Sequence, residues 1–341
     1  MNNTKTRVCT FGSAFAAANF PSARARTRRL TVLSLLATAL LALPTGAGER
    51  APGNDEDDDE RFGVRYDRLA LVGGGGLAAR YVGFKYVDRA WYQGQKLDHI
   101  RWVNDWSGET YLNIDKAGHF FGGLFMAQGM MQAYAWTGFT PPTAAALGTL
   151  TSWAALLEIE MRDAHFDQWG FSIPDFVANS VGAGVPLMHT LFPATRVVNF
   201  KFSYHPSRLY RDRVDRQAAG KPHYDHLIDD YEGMTFWMTL AVDDLLRGEI
   251  ERRWPDQLGL ALGYGAVGLH GENAKSTGPD RGYPELPDAR PELFLALDYD
   301  TRYLPGEGPL WSLFKSQLRW IHLPAPTVRL YPELRFYLLY M

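Results

Sequence analysis

Between Asn113 and Met188 the chain reads as three apolar segments of helix length. The first starts near Asn113, runs to about Trp136 and carries no charge between Phe120 and Trp136. Gly138 and the pair Pro141-Pro142 close it and open a second, Thr143 to about Arg162, because proline is tolerated only in the first turn of a helix. Ser172 opens a third, reaching about Met188. Upstream, Tyr66 to Tyr92 is apolar with Gly73 to Gly76 at its middle. Glycine weakens an isolated helix by about 1 kcal/mol relative to alanine but lets helices approach closely, so this stretch predicts a close-packed helix. Arg196 to Gly220 reads as a basic surface connector, and Leu227 to Arg247 as an amphipathic helix. Beyond Trp254-Pro255 the period changes from helical to two. Leu258, Leu260, Leu262 and Tyr264 alternate with small residues, and Leu293, Leu295, Leu297 and Tyr299 alternate with Phe294, Ala296, Asp298 and Asp300. Val328 to Tyr340 is a third strand-like stretch, with Pro332 marking an edge or bulge. Three or four strands are too few for an outer-membrane barrel, which needs at least about eight. They suit an antiparallel sheet packed on the helical part.

The helices are interrupted by ionisable and amide groups at helical spacing. Asp115 and His119 are four residues apart, Glu160 and Asp163 three, and Asp175 and Asn179 four, so each pair shares a helix face. Burying them singly is costly. The connections between the helices are short, which favours antiparallel neighbours and places all three pairs at one end of a bundle. A single polar site of Asp115, His119, Glu160, Asp163, Asp175 and Asn179 is therefore expected, with Lys116 offsetting part of its negative charge. Simpler readings compete. Asp115 suits the first turn of a helix, Glu158 and Arg162 form an ordinary i,i+4 pair, and Ser172-x-x-Asp175 is a capping box with Pro174 in the first turn. If the site holds a metal, Asp115, His119, Glu160 and Asp163 are the candidate ligands. Oxygen donors with one histidine suit Mg²⁺, Mn²⁺ or Ca²⁺ better than structural zinc.

Composition narrows the setting. The chain has 341 residues, 46% of them hydrophobic. Residues 1–48 have the order of a signal peptide: Arg24, Arg26, Arg28 and Arg29, an apolar run from Leu30 to Leu43, then Pro44 to Gly48. Cleavage is expected between about Pro44 and Glu49. Removing the leader's six basic residues takes the formal charge from −3 to −9, which gives no electrostatic case for nucleic acid. Cys9, the one cysteine, lies in the leader, so the mature chain has neither a disulfide nor a lipidation cysteine. Asn54 to Glu60 is an acidic run within a linker, residues 49–62. The implied organisation is a helical bundle over 63–193, a basic connector with an amphipathic helix over 194–254, and an antiparallel β region over 255–341. Apolar lengths of roughly 17–20 residues, rich in Gly, Ala and Thr, lean towards a membrane-associated bundle.

Asn104-Asp-Trp106, Asp115-Lys-Ala-Gly-His119, the Glu160/Asp163 pair, Trp169-Gly-Phe-Ser172 and Asp175-x-x-x-Asn179 follow in fixed order. In these the chain resembles the YfiM-like family of predicted periplasmic lipoproteins. Lys201 to Ser207, Asp229 to Trp237, Leu262 to Gly265 and Leu295 to Asp300 extend the likeness. The resemblance implies an envelope location and a polar helical site, and it carries no reaction.

The chain has no H-E-x-x-H zinc helix and no G-x-S-x-G nucleophile elbow. The expectation is an α+β envelope protein, a membrane-associated helical bundle followed by a small antiparallel β region. Its role is structural or ligand-binding. The alternative is a metal- or carboxylate-dependent hydrolase of envelope lipid or cell-wall material.

Overall fold

The computed structural model describes residues 63–92, 94–108, 110–207, 230–269 and 288–340. The leader and the acidic linker lie outside them, as do residues 208–229, which include part of the basic connector and the start of the expected amphipathic helix.

The architecture is α+β. Four helices, α1 (Tyr66–Ala90), α2 (Ile114–Trp136), α3 (Pro141–Asp163) and α4 (Ile173–Leu191), precede a six-stranded antiparallel sheet. Helix ends follow the chemistry of the sequence. Pro141 opens α3, and the Ser172 hydroxyl accepts the Asp175 backbone N–H at 3.2 Å to cap α4. Helices α2, α3 and α4 pack on one another. Gly182 of α4 lies against the Phe120 carbonyl and Gly123 of α2 against the Asn179 carbonyl, so close that a Cβ at either would collide with backbone. The same crossing sets His119 beside Asn179. The Ser152 hydroxyl donates to the Gly123 carbonyl at 2.9 Å and adds α3 to the contact.

Helix α1 differs from expectation. Nothing lies within contact distance of a Cβ built at Gly73, Gly74, Gly75 or Gly76. Glycine permits close approach but does not enforce it. The helix is held at its edges instead, by Arg68 donating to the Trp136 carbonyl and by the pairs Arg80–Glu158 and Arg162–Asp88. Among the described residues no helix is long and apolar enough to cross a membrane. Much of the apolar face of α2 is used internally: Phe120, Phe121 and Phe125 pack on Phe200, Phe202 and Phe236 of the sheet.

A short parallel pair, β1 (Trp102–Val103) with β2 (Phe171–Ser172), ties the segment before α2 to the start of α4. The main sheet is a meander of β3 (Val198–Tyr204), β4 (Met234–Leu240), β5 (Leu258–Val267), β6 (Arg290–Tyr299), β7 (Ala325–Tyr331) and β8 (Arg335–Tyr340). A fifth helix, α5 (Pro309–Leu318), lies between β6 and β7. The amphipathic helix expected over Leu227 to Arg247 is corrected: its centre is β4, and the connector before it contains β3. Both segments alternate aromatic or aliphatic residues with polar ones, as in Phe200-Lys-Phe-Ser-Tyr204. Such residues prefer a pleated surface to a helix. The β region therefore begins at Val198, well before residue 255.

The sheet curls strongly. Strands β3 and β6 are three spacings apart, about 14 Å in a flat sheet, yet Lys201 Nζ reaches both Asp298 carboxylate oxygens at 2.7 and 2.9 Å. On the same inner face Trp237 stacks on His322, and the Thr235 hydroxyl meets Tyr340 across four strand spacings.

Candidate functional site

The site forms where the start of α2, the end of α3 and the start of α4 meet. It is entered through an unusual turn. Tyr111, Leu112 and Asn113 all have left-handed φ, of 47°, 55° and 62°, a conformation that costs bulky residues of order 1–3 kcal/mol each. The Tyr264 hydroxyl from β5 donates to the Leu112 carbonyl and braces this turn. Asp115 and Lys116 follow directly, buried in the first turn of α2.

Lys116 is the centre of one half of the site. Its ammonium donates to Asp105 Oδ2 and to Asp115 Oδ2, the latter at 2.7 Å, and lies 2.9 Å from Asp175 Oδ1. The last contact is an ion pair off hydrogen-bond angle, since Asp175 Oδ1 finds no geometric donor. Asp105 is fixed in turn by the Ser172 hydroxyl, which donates to its Oδ1 at 2.9 Å. Burial works against the charge on Lys116, but Asp115 and Asp175 outweigh it and hold its pKa above the ordinary lysine value. Burial raises the Asp115 carboxyl above the usual range, opposed by Lys116.

The other half is built on His119. Asn179 Nδ2 donates to Glu160 Oε1 at 3.1 Å, which turns Asn179 Oδ1 towards His119 Nδ1 at 3.3 Å. An amide oxygen accepts only, so this arrangement places a proton on Nδ1, while Nε2, the ring's other titrating position, lies 3.8 Å from Asp175 Oδ2. Glu160 Oε1 lies 3.6 Å from the ring. Burial pushes the Glu160 carboxyl up to about 8, with Asp175 and Asp163 adding to the rise and His119 opposing it. For His119, burial pulls the pKa down, but Asp175, Glu160 and Asp115 win and raise it. Asp163 stands at the margin beside the Tyr92 hydroxyl, though not in hydrogen-bond geometry, and burial lifts its carboxyl to about 6.

The structure thus brings Asp115, Lys116, His119, Glu160, Asp175 and Asn179 into one connected cluster, with Asp163 at its edge. Two details differ from the sequence reading. Asp115 spends both oxygens on Lys116, so the partners of His119 come from α3 and α4. Donor atoms of His119, Glu160 and Asp175 lie within 4.8 Å of one another, close enough to share an ion. Asp105, Asp115 and Asp175 are equally close, but Lys116 already supplies the cation there. Asp105 and Tyr92 escaped the sequence reading, because neither shares a helix face with another candidate; Asn104-Asp105-Trp106, in fixed order ahead of Asp115, was the available signal.

These features define a helix-and-sheet protein with a buried, carboxylate-rich cluster among three helices. Residues 102–190 match the family model described as predicted periplasmic lipoprotein (DUF2279). The matched segment runs from β1 nearly to the end of α4 and holds every residue of the cluster except Tyr92, while the sheet lies beyond it. No curated protein and no solved structure matches the chain.

Proposed function

We propose that this is a cell-envelope protein, working at a membrane surface, whose three-helix cluster binds a divalent cation of the Mg²⁺, Mn²⁺ or Ca²⁺ class. One observation carries the reading. Among the described residues, Asp105, Asp115, Glu160, Asp163 and Asp175 have Lys116 and His119 as their cationic partners, in surroundings that are largely buried. Buried negative charge must be neutralised by protons or by a cation. His119, Glu160 and Asp175 present an imidazole lone pair and carboxylate oxygens, a donor set suited to hard divalent ions. Asn179 orients both His119 and Glu160 from behind. The envelope setting is supported by the family match and by the signal-peptide pattern.

The test is a Mn²⁺ titration followed by the loss of the free-ion paramagnetic signal. One ion per chain is expected, and Glu160→Gln should weaken binding by about tenfold or more. Mn²⁺ that stays free at millimolar concentration would overturn the reading.

A hydrolytic role is the second reading. His119 keeps 27% of its side chain exposed while Glu160 and Asp175 keep 2% and 12%. In this reading Glu160 and Asp175 hold the cation, and His119, outside the ligand set, offers a solvent-reachable base beside it that would deprotonate a metal-bound water. Cation-dependent hydrolysis of an envelope ester or amide, lost in His119→Gln with Mn²⁺ binding retained, would select it.

A further inference from the structure

The sheet is inverted in polarity. Its inner face holds the buried Lys201–Asp298 ion pair, buried Arg329 paired with half-buried Glu292 at 2.6 Å, and the buried Thr235, Thr239 and Thr327. Gly259, Ala261, Gly263 and Gly265 keep the inner face of β5 small, and Trp237 fills the space over Gly263. The outer face is apolar, aliphatic with a few aromatic rings. An antiparallel sheet in water arranges these the other way, apolar inward and polar outward. Apolar-out and polar-in is the alternation of a sheet whose solvent is hydrocarbon.

Strand register makes the outer face continuous. Met238, Leu262, Leu295, Val328 and Phe336 are successive cross-strand partners, so one row over five strands has no polar member. Leu240, Leu260 and Leu297 form the row on one side of it. Tyr264, Leu293 and Tyr331 form the row on the other. The helical part covers the β3 side, through Phe200, Phe202 and Phe236, and the Tyr264–Ala266 end of β5. Among the described residues the rest is open: Leu262 is 51% exposed, Phe336 64% and Leu338 70%. Protein-binding surfaces mix polar with apolar area, and a five-strand row without a polar atom is unlike them.

We infer that the outer face of β4–β8 inserts into the acyl-chain region of a phospholipid leaflet. Three rows, two residues apart along each strand, cover about 14 Å. That is half of the roughly 30 Å hydrocarbon core, so the face enters one leaflet and does not span the bilayer. Tyr331 of the third row, exposed on β7, then sits at the headgroup level, where an aromatic ring with one polar tip is favoured. The inference rests on the membrane-surface part of the proposed function and assigns that contact to the sheet. The cation cluster is not involved.

Flotation of the full chain with phosphatidylethanolamine/phosphatidylglycerol vesicles tests it, comparing the wild type with the double variant Leu262→Lys/Leu295→Lys. Both positions are on the exposed face, and circular dichroism checks that the variant folds. The wild type should float, and the variant's partitioning should fall by at least about tenfold. A second readout places an environment-sensitive fluorophore at Leu262→Cys in a Cys9→Ser background, with a blue shift expected on adding vesicles. Equal flotation of both proteins, or no blue shift, would overturn the assignment to the sheet and leave the membrane reading standing. A wild type that does not float would overturn both. A wild-type dimer that the double variant dissociates, without flotation, would give the face to a second copy of the chain and overturn the lipid assignment.

Discussion

Lys116 is the residue on which the cluster depends. Its three N–H groups face three carboxylates, and removing one partner of a buried ion network leaves charge without compensation. Lys116→Met should cost about 3–5 kcal/mol, read as a fall in urea midpoint; a change under about 1 kcal/mol would show that the carboxylates rearrange freely. The titrating groups give a second expectation. Glu160, held up at about 8, binds its proton more tightly in the folded than in the unfolded chain. Its effect on stability is therefore unfavourable as pH rises from the ordinary glutamate range to about 8. Asp163, at about 6, acts in the same sense over its lower window. His119, with a raised pKa, contributes stability that is fully present below its unfolded value and is lost as pH rises through the folded one. All three signs agree. His322, whose buried imidazole is pushed down to about 4, acts in the opposite sense, so the comparison is with a variant that keeps it. In the presence of chelator, raising the pH from about 5.5 to about 8.5 should cost the wild type more Tm than it costs Glu160→Gln, and an equal change in the two proteins would contradict the electrostatic account. Much of this was legible in the sequence, because helical spacing places Asp115 near His119, Glu160 near Asp163 and Asp175 near Asn179. What spacing cannot supply is partner choice: Asp105 enters from a loop, and Lys116 takes Asp115 away from His119.

At the scale of elements, the three central helices were legible because their apolar runs end at prolines and at a capping serine. Strands β3 and β4 were not, since seven residues of mixed aromatic and polar character fit a short amphipathic helix as well as a strand. Glycines show the same limit. Gly182 and Gly75 look alike in sequence, yet Gly182 touches the backbone of α2 while Gly75 faces open space. Gly182→Ala should therefore destabilise the protein by at least about 1–3 kcal/mol through overpacking. Gly75→Ala should stabilise by up to about 1 kcal/mol through helix propensity. Urea denaturation of the two variants distinguishes them, and a stabilising Gly182→Ala would refute the close crossing of α2 and α4.

Across the whole molecule, charge and apolar surface are separated in an unusual way. The helices bury a carboxylate-rich cluster, while the sheet buries ion pairs and exposes leucines. The period-two alternation of β5 and β6 was visible in the sequence, but not which side faced inward: small residues inside and leucines outside follow only from the curl of the sheet. On the proposed reading, the helical cluster balances its excess negative charge with protons or with a divalent cation, in competition. Calorimetric titration of Mn²⁺ into the metal-free protein near pH 7, in two buffers of different ionisation enthalpy, tests this directly. Binding should release close to one proton per ion from Glu160, held up at about 8, with any proton lost from His119 adding to it, and the release should fall in Glu160→Gln. Binding heats that do not depend on the buffer, or no binding at all, would contradict the claim.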